Sequence, residues 1–445
     1  MTKTFDVVGI GFGPANIALA ALFDDEGIFN NSVFLEKSKT PVWQEEMLFE
    51  NALDIHSNIQ NIPHRDLATL RSPRSRYTFM NYLHSTGKLL SHLNMDLLMP
   101  MRPDFAGYVS WVSSQLSNYL RTDQAVDKIT MLDDIHSHVY RIDVKGKEPV
   151  FARNVIVGTG REAYIPKPFQ NVIDDDRVFH LTSYKTSHTA LMKKGAKNFA
   201  VIGSSQSAAE ILLHMSKYEP RLELHSFMRR FAYPLKDTSP FMSEIFFPSF
   251  TDMYFEADDS LKKRIDMDVH RTNYGACDMD VLTELYRQIY YDKMHGANRI
   301  TINRLTDIIS AEADESGVHL TVRDARTMET RKEIFDGVVL ATGFRNIGTS
   351  ESSVRIPAVL DGISDMLDLS DDGCAQVDRS YRVKLKPGLE SAGSLILNGL
   401  CETSHGMGDA GSLSLLASRS QIIAGALSWN DGKKNSVSTD EVAAQ

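Results

Sequence analysis

The sequence predicts an α/β protein built as two parallel-sheet domains with a smaller, mostly helical region between their parts. Three observations carry that expectation. Strand-like runs that end in glycine-rich turns recur at Val7 to Gly13, Val155 to Gly160 and Phe199 to Ser205, which is the grammar of parallel α/β sheets. From about Pro234 to Gly296 the pattern becomes aromatic, Met-rich and charged with no strand period, before a fourth turn at Val338 to Gly343 restores the strand grammar. The 445 residues, 42% of them hydrophobic, also exceed the roughly 250 to 300 residues at which one core stops growing.

The first element is Val7-Val8-Gly9-Ile10-Gly11-Phe12-Gly13-Pro14-Ala15-Asn16, a strand that enters a helix through a glycine turn. Gly11 and Gly13 shape the turn and let the backbone approach a pyrophosphate at the positive end of the helix, which Pro14 opens. Asn16 stands in the place of a third glycine. Ser32 to Glu36 reads as the next strand, and Glu36 lies 20 residues beyond Asn16, where a carboxylate binds a ribose hydroxyl pair. Together these make a Rossmann-like fingerprint; its bland alternative is a tight turn with no ligand.

A second Rossmann-like turn follows at Val201-Ile202-Gly203-Ser204-Ser205-Gln206-Ser207-Ala208-Ala209-Glu210. Ser205 occupies the second-glycine slot, a departure that a small side chain can accommodate. The strand Leu222 to Phe227 ends in Met228-Arg229-Arg230 rather than in an acid, and guanidinium groups there favour a 2′-phosphate, hence NADPH. The alternative is a solvated charge pair. Val157-Gly158-Thr159-Gly160 and Leu340-Ala341-Thr342-Gly343-Phe344 are similar to the crossings by which two-dinucleotide flavoproteins pass between domains. The expected division is 1–165 and 344–429 for FAD, 166–235 and 297–343 for NADPH, 236–296 for a helical substrate region, and 430–445 as a polar, disordered tail.

A net charge of −10 argues against nucleic acid as a partner. No apolar run approaches the roughly 18 to 20 residues that span a bilayer, so no membrane is expected. Cys277, Cys374 and Cys401 have neither metal-like spacing nor a C-x-x-C pair. That suits a reducing, cytoplasmic setting, implies no metal, and argues against a dithiol reductase. A homo-oligomer is compatible with all of this.

Arg65-Asp66-Leu67-Ala68-Thr69-Leu70-Arg71-Ser72-Pro73-Arg74-Ser75, Tyr77 to Leu83, Asp237-Thr238-Ser239-Pro240-Phe241, Thr272-Asn273-Tyr274, and Ser404-His405-Gly406 with Leu413 to Ala417 closely resemble the flavin-dependent L-ornithine and L-lysine N-hydroxylases of siderophore biosynthesis. The resemblance runs from about Phe5 to Leu427. It implies an FAD- and NADPH-dependent monooxygenase that uses O2 to N-hydroxylate a primary amine through a C4a-hydroperoxyflavin. The cofactor carries the hard chemistry, and the protein supplies a dry pocket and an aimed, neutral amine.

By the same resemblance Trp43, Met47 and Gln60 line the isoalloxazine pocket. Gln60 and Asn273 serve the reaction, Asn273 by holding NADP⁺ and substrate; read alone, Asn273 is a turn-forming Asn. Asp409 and Leu413 close over FAD. No histidine is given a role. Arg65 and Ser243 stand where the ornithine enzymes have Lys and Asn on the amino acid's α-carboxylate and α-amino group. Both changes together point to a decarboxylated amine such as histamine, with L-ornithine or L-lysine as the alternative. A pyridine-nucleotide flavin reductase and a non-catalytic flavin-binding protein, the latter resting on Ser205, are the rival classes.

Overall fold

The computed structural model describes residues 3–49, 65–96, 99–134, 137–389, 393–410 and 412–427. Gln60, the segment Asn61 to His64 and the polar tail from 430 lie outside the described residues.

Among the described residues the first sheet has seven strands. At its centre Thr4–Ile10 runs parallel to both Ser32–Leu35 and Val150–Val157. Val7, Val8, Val155, Ile156 and Val157 have no exposed surface, the continuous apolar run expected of strands covered on both faces. The strand Val150–Val157 has two sets of partners. Its first half pairs antiparallel with Ser137–Val144, and its second half pairs parallel with Leu395–Leu397, which brings the C-terminal part of the chain back into this sheet. Helix Pro14–Glu26 buries Ile17 to Phe23 and stops at Gly27, whose φ of 65° supplies the left-handed cap that a glycine adopts without a Cβ penalty. Helix Leu416–Ala426 packs along it.

The second sheet has five parallel strands in the order Ile300–Asn303, Glu223–Phe227, Asn198–Ile202, Gly337–Leu340, Val178–His180. Helix Gln206–Tyr218 follows its central strand. An antiparallel meander, Thr306–Asp314, Gly317–Asp324 and Thr330–Phe335, closes one face through Val318, Leu320 and Val322. Between Glu223–Phe227 and Ile300–Asn303, two strands of this same sheet, come the 3-10 turn Met242–Phe246 and the helices Pro248–Glu256, Asp259–Asn273 and Met279–Met294. The turn and the helix Asp259–Asn273 share a small core of Ile245, Phe246, Val269 and Met407. The last helix instead sets Val281 and Leu285 against Ala209 and Leu212 of the second domain. Among the described residues no helix is long and apolar enough to cross a membrane.

The two crossings lie side by side: Tyr164 N donates to Gly343 O at 2.9 Å and Arg345 N to Glu162 O at 2.8 Å. Deeper in, Arg102 at the start of helix Arg102–Gln115 donates through Nη2 to both carboxylate oxygens of Glu210, at 2.8 and 2.9 Å, and through Nη1 to Met47 O at 3.2 Å. Their side chains are 7% and 1% exposed. Removing one partner from such a pair strands a buried charge, so Glu210→Ala is expected to cost about 3 to 5 kcal/mol. Thermal melting checks it: Glu210→Ala should melt well below wild type, and Arg102→Met with Glu210→Met should recover much of the loss.

Candidate active site

The first nucleotide turn is shaped by what passes behind it. Gly11 has φ 82°, and a Cβ there would lie 2.6 Å from the carbonyl oxygen of Gly158. Gly13 differs: its φ of −83° and ψ of 179° are ordinary extended values, and nothing lies within 4 Å of a Cβ built on it. Neither backbone strain nor a protein neighbour demands glycine at 13. The space is open at the N-terminus of helix Pro14–Glu26, where unpaired N–H groups and the helix dipole favour a pyrophosphate. Glu36 sits beside it with both oxygens engaged, Oε2 accepting from Phe12 N at 2.8 Å and Oε1 from Ser38 N at 2.9 Å, so the carboxylate is oriented at the strand end.

Asn16, expected among the cofactor contacts, is fully buried and committed elsewhere. Its Nδ2 donates to Gly11 O at 2.8 Å and Ile10 O at 3.3 Å, and its Oδ1 accepts from Asn398 Nδ2 at 3.0 Å. Its side chain holds the turn against the returning strand.

The second turn repeats the first. Gly203 has φ 143°, and a Cβ would lie 2.5 Å from Ala341 O. Ser205 has φ −113° and ψ −178°, extended like Gly13, so serine carries no backbone strain there. Gly203, Ser205, Gln206, Ser207, Arg229, Asn273 and Met47 all line one cleft of 1330 Å³. Gln206 is tied within it: Nε2 donates to Glu210 at 2.9 Å and Oε1 accepts from Asp278 N at 2.8 Å, so it braces the turn rather than offering a free amide. Arg230 donates to Gly275 O at 2.8 Å, while Arg229 stands exposed at the rim. Asn273 ends helix Asp259–Asn273, half-buried in the cleft wall.

Trp43 packs edge-on against Phe105, with ring centroids 5.5 Å apart. Met47 is buried in the core of the second domain together with Phe49, whose ring stacks on His214 at 4.4 Å. Burial pushes the His214 pKa down to about 4. Glu46 accepts from Thr186 N at 2.9 Å and Oγ1 at 2.7 Å, so the stretch from Trp43 to Phe49 spans both domains.

Asp409, expected over FAD, is 2% exposed. Its carboxylate accepts from Tyr381 Oη at 2.8 Å and from Arg419 Nη1 at 3.4 Å, which fixes the returning segment. Leu413 is buried in the first core. Arg65 lies over the rings of Phe246 and Phe247, 5.8 and 5.7 Å from their centres, and burial lowers its pKa from the ordinary arginine value. Ser243 belongs to the same 3-10 turn as Phe246, its N donating to Ser239 O at 2.9 Å. The two departures therefore fall on one structural unit.

Sequence reading missed a cluster on the cleft wall, Arg161, Tyr274, Asn346 and Glu402. These residues are 56 or more positions apart and share no motif, so only the fold assembles them.

Two glycine turns, each backed by a crossing strand, the second of them lining the large cleft, define a two-dinucleotide flavoprotein oxidoreductase. The model of the L-lysine 6-monooxygenase/L-ornithine 5-monooxygenase family matches residues 3–346. The L-ornithine N(5)-monooxygenase of Pseudomonas aeruginosa is 30% identical over 432 residues, covering 95% of this chain and 93% of the relative. That of Burkholderia cepacia is 32% identical over 414 residues, covering 90% of each. The ornithine N-hydroxylase of Kutzneria sp. 744, solved with reduced FAD, NADP⁺ and L-ornithine, superposes with a TM-score of 0.85 at 29% identity over 95% of this chain and 98% of that one. The chain belongs to this family and is an NADPH-dependent flavin N-monooxygenase.

Gly13→Val fills the open space with a branched side chain and should abolish flavin retention; a variant that purifies yellow with wild-type affinity overturns the assignment of the first turn. Arg229→Ala should weaken NADPH by about tenfold to a hundredfold, the worth of a charge-assisted phosphate contact, and leave NADH nearly unchanged. Binding titrations with both nucleotides decide it, and equal losses would make Arg229 structural.

Proposed function

We propose that the enzyme N-hydroxylates the side-chain amine of L-ornithine, in the service of siderophore biosynthesis. The observation that carries this reading is the agreement with L-ornithine N-monooxygenases along more than nine-tenths of the chain. The expected decarboxylated amine, histamine, finds no support among these relatives, and the alternative is the better-supported substrate. A cytoplasmic location goes with the same reading.

FAD and NADPH, when bound, supply the reduction of O2 that places one oxygen atom on the amine and the other in water. The residues around them bind, orient and exclude water. Gly13 leaves the helix N-terminus open to the FAD pyrophosphate, and Glu36 receives its ribose. Gly203, Ser205 and Ser207 cradle the NADPH phosphates in the cleft, with Arg229 at the 2′-phosphate. Met47 and Trp43 border the flavin side, and Asn273 holds NADP⁺ and substrate together. In this division 1–165 and 344–429 serve FAD and 166–235 with 297–343 serve NADPH. The stretch 236–296 serves substrate, except for its last helix, which packs in the NADPH domain. Arg65 pairs with the substrate carboxylate, for which a planar, bidentate guanidinium is the better partner than an ammonium. Ser243, on the turn beneath, leaves room for the α-amino group.

The experiment compares hydroxylamine yield per NADPH for L-ornithine, L-lysine and histamine on wild type and Arg65→Ala. L-Ornithine should couple best in wild type. Arg65→Ala should cost roughly 2 to 5 kcal/mol in ornithine binding, read as a raised KM, with flavin reduction by NADPH little changed. Histamine coupling best in wild type, with no penalty in Arg65→Ala, overturns the proposal.

A further inference from the structure

Four side chains from four distant segments converge on the cleft wall. Arg161 Nη1 donates to Tyr274 Oη at 2.8 Å and Asn346 Oδ1 at 3.1 Å and lies 3.2 Å from Glu402 Oε2. Tyr274 Oη donates to Glu402 Oε2, and Asn346 Nδ2 donates to Glu402 Oε1 at 2.9 Å. The Arg161 guanidinium also lies over the rings of Tyr274 and Phe344, at 5.4 and 5.6 Å. Arg161 follows the first crossing and Asn346 the second, Tyr274 caps helix Asp259–Asn273, and Glu402 opens the short helix Glu402–His405 of the returning segment.

The side chains of Arg161 and Glu402 are only 16% and 11% exposed. An ion pair so withdrawn from water gains little net stability, because desolvation offsets the attraction. What the arrangement does provide is a fixed geometry. The Tyr274 hydroxyl accepts from Arg161 and donates to Glu402, and its ring is covered by the same guanidinium, so both ends of the side chain are constrained. Asn273 is the preceding residue and shares a peptide unit with it. Fixing Tyr274 therefore fixes the direction in which the Asn273 amide enters the cleft.

We infer that Arg161 and Glu402 are positioning residues that act through the Tyr274 hydroxyl to hold Asn273 in register with nucleotide and amine, and so set how much of the consumed NADPH yields hydroxylamine. This rests on the reading of Asn273 given above. In the coupled reaction the amine, O2, NADPH and a proton give the hydroxylamine, water and NADP⁺. When the amine is out of register, O2, NADPH and a proton give hydrogen peroxide and NADP⁺. Hydride delivery draws on the nucleotide turn and Arg229 as well as on Asn273, whereas oxygen delivery needs the amine held at the same moment, so the two steps should respond differently to a loosened Asn273.

The test uses full-length, FAD-loaded Glu402→Gln, Tyr274→Phe, their double variant and Asn273→Ala. For each, anaerobic flavin reduction by NADPH is measured beside hydroxylamine and peroxide yields with L-ornithine, or with L-lysine or histamine should one of these couple better in wild type. Glu402→Gln and Tyr274→Phe should each reduce flavin within about twofold of wild type. Each should lose hydroxylamine yield by about tenfold, the lower end of what a hydrogen bond to a charged group is worth, with peroxide making up the difference. Glu402→Gln should add no further loss in the Tyr274→Phe background, since both act through one hydroxyl. Wild-type yield in either single variant, or losses that add in the double, overturns the inference. Should Glu402→Gln fail to fold, Tyr274→Phe, which keeps the ring, decides alone. Wild-type yield in Asn273→Ala would instead refute the reading of Asn273, an outcome separate from the response of Glu402.

Discussion

The carbonyl oxygen of Gly158 occupies the place where a side chain on Gly11 would have to go, and Ala341 O stands in the same relation to Gly203. These two backbone contacts govern the molecule. In each domain the first nucleotide strand can reach its turn only if the crossing strand passes close behind it, and only glycine at positive φ permits both. The crossings then emerge side by side, paired through Tyr164 with Gly343 and Arg345 with Glu162, at the floor of the cleft between the domains. The position of the cleft follows from the turns.

The same geometry separates two roles that the fingerprint glycines share on paper. The first glycine answers to the protein, since its neighbour is backbone. The second does not, since Gly13 faces open space with an extended backbone. Serine at 205 has the same extended backbone and is therefore no fault in the fold. Around the cleft the joints are buried and charged: Arg102 reaches Met47 in one direction and Glu210 in the other, and Glu210 in turn steadies Gln206 at the second turn. Such pairs set relative geometry more than they add stability.

The fold class and the two nucleotide turns were legible because their signals are local: a strand, a glycine turn and a helix lie within about a dozen residues, and their order along the chain is itself informative. Side-chain roles within the motifs were less so. Asn16, Gln206 and Asp409 have the right chemistry at the right motif positions, yet each is engaged by a partner that the sequence does not place beside it. Asn398 is 382 positions from Asn16, Asp278 is 72 from Gln206, and Tyr381 is 28 from Asp409. The Arg161 cluster was invisible for the same reason, since its members belong to no common motif and meet only where the crossings, the helical stretch and the returning segment converge.

The substrate reading follows a different route, through Arg65. Replacing a lysine by an arginine alters the shape of a cation while keeping its charge, and the altered shape suits a carboxylate better than the original did. The surroundings point the same way. Arg65 lies against Phe246 and Phe247, and burial lowers its pKa, the mark of a charge that has lost hydration. A decarboxylated amine offers such a group no counter-charge, whereas an amino acid brings a carboxylate whose attraction strengthens as water is excluded. Ser243 lends itself to either substrate, because a shorter side chain only enlarges the space. The electrostatic argument discriminates where the steric one does not, and it favours the substrate that the relatives use.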